Sequence, residues 1–369
     1  MPIPRYCEGP SPTTYGVPQS PSKPVRAIAR IALALLVTLS ACNPEEQLEE
    51  ELALSQIDGF HFAIYGQRST SREWKEIDVD TVAILGMSDD HLLYNPLGIS
   101  GRVDGGSYIT DYGDFLIKRF NVAGQLVGTY GQGQGEGPGE FQNPMDPSID
   151  EAGNVVVPDA YRLAVFRFGP KGDLLETNKL NFQPFRMTLT EDGRYYFMPM
   201  GYDADGRLFG IADAPGKPLF TFGTSDLHSL VLGGEITTVD NDLVYSPLYF
   251  GFIARFSDSG EVVYARETLD QVDPPEVVPY NMEGWPTMFR RGVSVAAKSF
   301  LAYSNGKLYM DSLPLSRERE ATIIDVYSAD DGSYDYSFEV PGRWRSMDLA
   351  GDYFFALSDT LGTVLRLRP

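Results

Sequence analysis

Turn residues recur along this chain mostly at intervals of roughly 40 to 48 residues, with longer intervals where two insertions lie, and this repetition limits the possible folds more than any other feature of the sequence. Short apolar runs follow the turns, such as NVVVPD after Gly153 and DYFFAL after Gly351. These runs are too short for stable helices and are rich in valine, tyrosine and phenylalanine, so we expect antiparallel strands joined by tight turns. One series of turns comprises Gly105, Gly153, Gly193, Asn241, Gly306 and Gly351, and a second comprises Gly124, Gly172, Gly216, Gly260 and Gly332.

A repeat of this length matches one four-stranded blade, and six turns of the first series imply six blades. The sequence therefore predicts an all-β fold, a six-bladed β-propeller of four-stranded antiparallel blades. The last repeat, from residue 345 onwards, contains only three strands. Because an open ring would expose sheet edges, we expect the alternating run at residues 74–85 to supply the missing strand and close the ring. Residues 58–65 are an alternative donor of that strand.

A glycine-rich loop precedes the second repeat, with glycine at every second position from Gly131 to Gly139. A phosphate-binding loop would need a helix start directly after its glycines or a terminal Gly-Lys-Ser/Thr. The sequence continues instead with EFQNP and contains neither signal. We therefore predict a connection between two blades at this place.

The repeat that begins with this loop resembles the NHL repeat of β-propeller proteins, and more broadly the TolB-like group of six-bladed propellers. The NHL pattern has a glycine-rich loop, Gly-x-Phe-x-x-Pro, Asp-x-x-Gly-Asn, Val-x-Asp and a strand ending in Val-x-x-Phe. The matching positions are Gly139, Phe141, Pro144, Asp150, Gly153, Asn154, Val157, Asp159, Val165 and Phe168. The resemblance implies the same fold that the turn spacing predicts.

The N-terminus has the features of a bacterial export signal. Lys23, Arg26 and Arg30 precede an apolar core at residues 31–41, which is too short to span a bilayer. The run Leu-Ser-Ala-Cys ending at Cys42 resembles a lipobox, which implies lipidation of Cys42 after export. We predict a lipoprotein signal peptide at 1–41, with a later start at Val25 also open, an acidic tether at 42–58 and the propeller at 59–369. The protein would be lipid-anchored to a membrane on the periplasmic or outer-surface side.

Composition limits the partners. The chain of 369 residues is 43% hydrophobic and carries a formal net charge of −21. Nucleic acid and anionic membrane surfaces require a basic footprint, so we exclude both as main partners and expect membrane contact only through the lipid anchor. The partner is expected to be a protein or a small polar or anionic ligand, and the protein is expected to be a monomer.

Two insertions are expected on the same face of the propeller as the connections between blades. One spans residues 270–298 between the fourth and fifth repeats and is predicted to be helical or irregular. The other spans residues 313–322 inside the fifth repeat. Because loops on a rigid scaffold often carry function, we expect the ligand at this loop-rich mouth.

An aromatic residue followed by arginine recurs where inner strands begin, and guanidinium groups there could bind a carboxylate or phosphate. Pairing of these arginines with the recurring blade aspartates, as structural bridges, is the alternative. The predicted ligand-binding residues are Phe185, Arg186, Arg290, Trp344 and Arg345, with Tyr161, Arg162 and Tyr249 on the same face. Phe289 precedes Arg290 in the same pattern.

Four aspartates, Asp111, Asp159, Asp311 and Asp359, are interpreted as recurring at one repeat position. They could cap turns at strand ends, or they could form a carboxylate ring that binds Ca²⁺, the one candidate cofactor.

Amidating lyases, streptogramin lyases and lactonases share the propeller architecture, and several of them depend on histidines. His61, His91 and His228 do not occupy corresponding repeat positions here, and no catalytic residues are assigned. The leading hypothesis is therefore a noncatalytic binding or scaffolding propeller. A lyase or hydrolase that uses carboxylates and a divalent cation is the alternative.

Overall fold

The computed structural model describes residues 53–87, 92–201, 203, 205–214, 217–272, 275, 277–282, 285–289, 296–317 and 319–368. This part of the chain consists mainly of six four-stranded antiparallel sheets. The predicted signal peptide and Cys42 lie outside the described residues. No helix in the described ranges is long and apolar enough to cross a membrane.

The first three sheets are meanders of consecutive strands that follow β1 (Asp78–Leu85) in the chain. Their strands are, for the first blade, β2 (Pro96–Gly101), β3 (Ser107–Asp111), β4 (Leu116–Phe120) and β5 (Leu126–Tyr130); for the second, β6 (Ser148–Ile149), β7 (Val155–Asp159), β8 (Ala164–Phe168) and β9 (Leu174–Lys179); and for the third, β10 (Pro184–Leu189), β11 (Tyr195–Pro199), β12 (Phe209–Ala214) and β13 (Lys217–Phe222).

The remaining sheets follow the same order. Their strands are, for the fourth blade, β14 (Gly234–Val239), β15 (Asp242–Pro247), β16 (Phe252–Phe256) and β17 (Val262–Glu267); for the fifth, β20 (Leu301–Ser304), β21 (Lys307–Asp311), β22 (Ala321–Ser328) and β23 (Tyr334–Pro341); and for the sixth, β24 (Ser346–Ala350), β25 (Tyr353–Leu357) and β26 (Gly362–Arg368), joined by β1. β18 and β19 belong to the first insertion, described below.

The N-terminal strand closes the ring, as the sequence predicts. β1 pairs antiparallel with β26, from Asp78 opposite Arg368 to Leu85 opposite Gly362. The sixth sheet therefore has the order β1-β26-β25-β24, in which the first and last strands pair with each other. The alternative donor, residues 58–65, does not join this sheet.

Residues 53–77 form a belt across the outer edges of other blades. Arg72 fixes the belt by donating two hydrogen bonds to Asp325 on β22, at 2.9 and 2.8 Å, and one to Asp270 at 2.5 Å. Ile57 packs against the core, ahead of the predicted domain boundary at residue 59. Three isolated bridges pair Phe60 with Ser225, Tyr65 with Arg266, and Trp74 with Ser337.

The predicted turns lie where the repeat places them. Gly105 and Gly153, between the first two strands of their blades, have φ of 81° and 78°, in the left-handed region that glycine adopts readily. Asp240 and Asn241 form the corresponding turn of the fourth blade, and Asp240 has the positive φ, 55°. Gly216 lies outside the described residues.

Apolar faces of neighbouring blades pack against each other and form the core. Between the first and second blades, Tyr108, Tyr130, Phe141, Phe166 and Phe168 are at most 1% exposed. Phe141 and Phe166 make an edge-to-face contact with ring centroids 5.3 Å apart. Burial of each such ring contributes about 1.5–3 kcal/mol, so the interfaces between blades stabilise the ring.

The first insertion differs from the prediction. Instead of helical or irregular structure, its described part contains an antiparallel pair, β18 (Val277–Met282) and β19 (Trp285–Phe289). The second insertion contains a four-residue helix, α1 (Leu313–Ser316). Ser312 caps this helix, because its Oγ accepts a hydrogen bond from the Leu315 N–H at 3.3 Å.

Candidate binding site in the central channel

The first strands of the six blades surround a central channel. Its larger cavity has a volume of about 450 Å³ and lies toward the tight turns between the first and second strands. Every blade contributes to its wall, with Ile99 from β2, Ser148 from β6, Arg186 from β10, Glu235 from β14, Leu301 from β20 and Asp348 from β24.

A second cavity, of about 240 Å³, lies at the loop-rich end of the channel. Its wall includes Leu248, which follows β15, Lys298, which precedes β20, and Arg345, which precedes β24. Asp146, Arg186 and Glu235 line both cavities. These three charged side chains therefore form a waist where the two cavities meet.

Arg186 and Glu235 form a two-pronged ion pair at this waist, with Nε–Oε2 at 2.8 Å and Nη2–Oε1 at 2.6 Å. The guanidinium carbon also lies 4.4 Å from the centroid of the Phe185 ring. Burial lowers the pKa of Arg186, but the charge and hydrogen bonds of Glu235 outweigh burial, and the net shift is upward. Arg186 is thus a permanent cation bound to a carboxylate of the next blade, although its partner is a glutamate and not one of the recurring aspartates expected in the structural alternative.

Asp348 stands on β24 in the wall of the larger cavity. Its carboxylate accepts hydrogen bonds from the N–H groups of Gly101, at 2.6 Å, and Leu349, at 2.8 Å. Burial raises the pKa of Asp348 to about 7, because these two bonds offset only part of the desolvation, and the charge of Asp146 adds to the rise. Near neutral pH this carboxyl group therefore exists in both protonation states.

Asp146 lies just before β6, and it makes no side-chain hydrogen bond within the described ranges. Burial raises the pKa of Asp146, and the positive charge of Arg186 offsets only part of this effect. Its carboxylate packs directly on Gly98, where a Cβ atom would lie 1.4 Å from Asp146 Oδ1. A side chain at position 98 would therefore displace the Asp146 carboxylate from this place.

Arg345 is the predicted anchor that remains open to solvent. Its side chain is exposed, and Nη1 makes one long contact, 3.4 Å, with Asn95 Oδ1. Its backbone N–H is fixed by the Leu357 carbonyl at 2.7 Å, so the residue has a defined place at the cavity. Arg290 lies outside the described residues, and so does the side chain of Phe289.

The other predicted ligand-binding residues do not line either channel cavity. Tyr161 is 66% exposed, and Tyr249 packs against the core of the third and fourth blades. Trp344 donates its Nε1–H to the Pro341 carbonyl at 3.1 Å and lines a separate small pocket beside α1. Phe185 approaches the channel only through its contact with Arg186.

Arg162 organises the glycine-rich loop from within. Its guanidinium donates to the carbonyls of Gly135, Gly137 and Glu140 through Nη1 and to that of Glu136 through Nη2. The loop thus directs carbonyl oxygens at a cation, whereas a phosphate site would present N–H groups. This geometry agrees with the prediction of a connection between blades, and it places Arg162 in a structural contact.

Three of the four predicted metal-binding aspartates have one shared role. Each ends the second strand of its blade and accepts hydrogen bonds from the segment that leads into the first strand. Asp111 accepts from the N–H groups of Tyr94 and Asn95, Asp159 from those of Gln142 and Asn143, and Asp311 from that of Ser299. Asp359 lies two residues beyond the end of β25, so its assignment to the same repeat position is wrong.

The local partners of these aspartates determine their charge. Burial raises the pKa of Asp111, but hydrogen bonds from Lys118 and nearby N–H groups outweigh it, and the net shift is downward. For Asp311 burial prevails over the bonds from Ser299, and its pKa is raised to about 6. Within the described ranges, no three His, Cys, Asp or Glu side chains are grouped closely enough to hold a metal ion. The structure thus does not assemble these aspartates into a ligand set, and calcium remains a prediction.

Sequence reasoning missed four charged residues of the channel. Asp146, Glu235, Lys298 and Asp348 line the cavities but match no motif. The sequence did contain a signal for these residues, because each of the four lies in or just before a predicted inner strand. A polar side chain there faces either the channel or a neighbouring blade. The runs RSMDLA and AAKSF carry this signal.

Comparisons with known proteins agree with the fold. The sequence profile of a family described as DUF5128, 6-bladed beta-propeller, matches residues 120–269. The chain is a six-bladed β-propeller, and this match covers its second, third and fourth blades and the end of the first. No curated protein matches the sequence.

Three solved structures show the same fold at low sequence identity. A protein from Bacteroides fragilis described as exported is 14% identical, with a TM-score of 0.57 over 82% of this chain and 99% of that one. Virginiamycin B lyase from Staphylococcus aureus is 16% identical, with a TM-score of 0.50 over 79% and 99%. A member of the duf4221 family from Bacteroides vulgatus is 9% identical, with a TM-score of 0.51 over 79% and 98%. At these identities the likeness is one of fold alone.

Proposed function

We propose that this chain is an exported propeller that binds a small anionic or polar ligand, or the acidic end of a partner segment, at the loop-rich end of its channel. The observation that carries the proposal is Arg345, an exposed guanidinium at a cavity that also contains Lys298 and Arg186. Among the described residues it makes only one long side-chain hydrogen bond, so its other donors could bind a ligand. Charge-assisted hydrogen bonds from such a group to a carboxylate are stronger than neutral ones.

The large negative charge of the chain does not oppose this proposal. Charges farther away than about 8 Å are largely screened at physiological salt, so the field in the cavity depends mainly on its own lining, in which Arg345 has no carboxylate partner among the described residues. Arg186 contributes less than Arg345, because Glu235 already neutralises it. A cavity of about 240 Å³ is at the small end of ligand sites, which favours a ligand of few atoms.

Export and lipid anchoring are part of the same proposal. They rest on the apolar segment 31–41 and the lipobox that ends at Cys42. The protein from Bacteroides fragilis with the same fold, which is described as exported, is consistent with this location.

The lyase or hydrolase alternative has less support. The virginiamycin B lyase compared above is a catalytically inactive form in which alanine replaces a histidine of that enzyme. In the described part of this chain, neither His61 nor His228 lines a channel cavity. The carboxylates of the waist are likewise not grouped around a cation site.

A panel of small anions tests the proposed site. Formate, acetate, succinate, glyoxylate and inorganic phosphate would be titrated by calorimetry against the mature protein. We expect at least one to bind saturably, and Arg345→Ala to weaken it about tenfold or more, as for loss of a hydrogen bond to a charged group. The melting temperature should stay unchanged, because Arg345 is exposed.

Arg343→Ala is the matched control for this titration. It removes the same charge two residues away, where the guanidinium donates to the carbonyls of Arg317 and Arg319 outside the channel. Equal affinity of the Arg345 and Arg343 variants would contradict the proposal, as would saturable binding by none of the anions.

A further inference from the structure

Lys298 is a buried amine that the proposed binding site does not yet use. Its side chain is 2% exposed and belongs to the wall of the smaller cavity. Nζ donates to Ser246 Oγ at 2.6 Å and to the Phe250 carbonyl at 3.4 Å. Ser246 Oγ donates its own hydrogen to the Phe252 carbonyl at 2.5 Å and therefore accepts from Lys298.

The number of acceptors matches a neutral amine. A neutral amino group has two N–H donors and one lone pair, whereas an ammonium group has three donors. Nζ has two acceptors, both uncharged, and within the described residues no carboxylate lies at ion-pair distance from it. Protonation would leave the third N–H of a buried ammonium without a partner.

Electrostatics support the same conclusion. Burial lowers the pKa of Lys298 to about 7, although the more distant charges of Asp270, Asp311 and Asp325 act in the opposite direction. A large fraction of the amine is then unprotonated near neutral pH, and desolvated lysines of this kind are nucleophiles toward carbonyl carbons.

The same cavity contains the open guanidinium of Arg345. An amine and a guanidinium in one small cavity match a molecule that carries a carbonyl group and a carboxylate. We propose that Lys298 binds a small oxo acid as a reversible imine while Arg345 binds its carboxylate. This inference rests on the proposed function and names the ligand class of that site.

The chemical step is balanced without any further reactant. The Nζ lone pair attacks the carbonyl carbon, and a C–N bond forms. The carbonyl oxygen then leaves as water with the two protons that the amine carried, so that a C=N bond replaces the C=O bond. Nothing is oxidised or reduced, and addition of water reverses the step.

Glyoxylate with cyanoborohydride is the probe. Cyanoborohydride reduces an imine to a secondary amine, so that a carboxymethyl group stays on the reacting lysine and peptide mass spectrometry locates it. We expect Lys298 to be modified at least about tenfold faster than the exposed Lys75 and Lys171, because a desolvated amine is the stronger nucleophile and Arg345 would hold the carboxylate in the same cavity. Glycolate, which has a hydroxyl in place of the carbonyl, should slow the reaction by competition.

Two substitutions of Lys298 test whether its amine forms the adduct. Lys298→Met and Lys298→Arg should both lose the adduct, and their melting temperatures report whether the site still folds. Mapping the adduct in the wild-type protein decides the question even if both variants unfold. Arg345→Ala should slow adduct formation and raise the glyoxylate concentration that gives half-maximal rate.

The outcomes distinguish this inference from the proposed function. If glyoxylate and glycolate bind saturably in an Arg345-dependent manner but no adduct forms at Lys298, the imine proposal is wrong. The proposed binding site would still be supported. An adduct confined to exposed lysines, or one at Lys298 that does not depend on Arg345, would also overturn the inference. Binding of neither acid would overturn this inference, whereas the proposed function would be overturned only if no anion of the panel bound.

Discussion

Asp348 is a buried carboxyl group whose charge state changes within the ordinary pH range. Its pKa of about 7 lies above that of the same group in the unfolded chain, near 4. Between these values the folded protein retains a proton that the unfolded chain releases, so stability falls as pH rises through this window. Above pH 7 the buried carboxyl group is charged in the folded protein, and its full desolvation cost lowers the free energy of unfolding.

Asp348→Asn should therefore stabilise the protein at pH 8 and have little effect at pH 4. We expect a gain of about 1–2 kcal/mol at pH 8, since water in the channel reduces the full value of the shift. Asparagine Oδ1 can still accept from Gly101. Urea unfolding at the two pH values measures the difference, and exposed Asp352→Asn on the adjacent turn is the control. A gain that is the same at both pH values would refute the assignment.

The sequence predicted only part of the channel at this scale. Arg186 and Arg345 were identified because an aromatic residue precedes each of them. Glu235 was not, because its pairing with Arg186 joins residues 49 apart and depends on how two neighbouring blades align. Asp359 was misassigned because the second strand of the last repeat ends in Leu357, where the corresponding strands of the first, second and fifth blades end in aspartate. The alignment of neighbouring blades is a property of the tertiary structure that a sequence motif does not contain.

The N-terminal belt and β1 are the elements on which the closed ring depends. Phe60 packs edge-to-face on Phe252, with centroids 4.9 Å apart, and Arg72 joins Asp270 to Asp325. Removal of one partner from a buried ion pair costs about 3–5 kcal/mol, because the remaining charges stay desolvated. The belt thus contributes to stability beyond its role as a connection to β1.

Truncations should separate these contributions. A chain that starts at residue 53 should melt like the full mature protein. A chain that starts at residue 78 loses the belt and should melt more than about 5 °C lower. A chain that starts at residue 87 also loses β1, which exposes the edge of β26 and should cause aggregation. Thermal scans with light scattering make the comparison, and equal behaviour of the three chains would rule out closure by β1.

The sequence predicted the closing strand but neither the belt nor the hairpin of β18 and β19, and the reasons are physical. The strand at residues 74–85 was predictable because its side chains alternate along the run. The belt has no such pattern, because its conformation follows the outer surfaces of other blades. The hairpin of β18 and β19 was missed because Pro279 and Pro286 disfavour strands, although prolines are tolerated in edge strands like these.

At the scale of the whole molecule, the proposed lipid anchor at Cys42 would determine where the propeller acts. Cys42→Ser should move the protein from the membrane fraction to the soluble exported fraction, because the thiol that would carry the lipid is lost. Fractionation of cells that express each form gives the result. Cys7→Ser is the control, since Cys7 precedes the predicted cleavage site and should have no effect. Unchanged partition of the Cys42 variant would exclude the lipoprotein assignment.

The central claim is that a ring of six inner strands presents a ligand site at its loop-rich end. Hydrogen exchange with and without the tightest-binding anion of the panel tests this claim most directly. We predict slower exchange at residues 296–301 and 345–347, with no change in the outer strands β5 and β9 and none in the Arg345→Ala variant. Slower exchange confined to outer strands, or to the turns at the opposite end of the channel, would contradict the account.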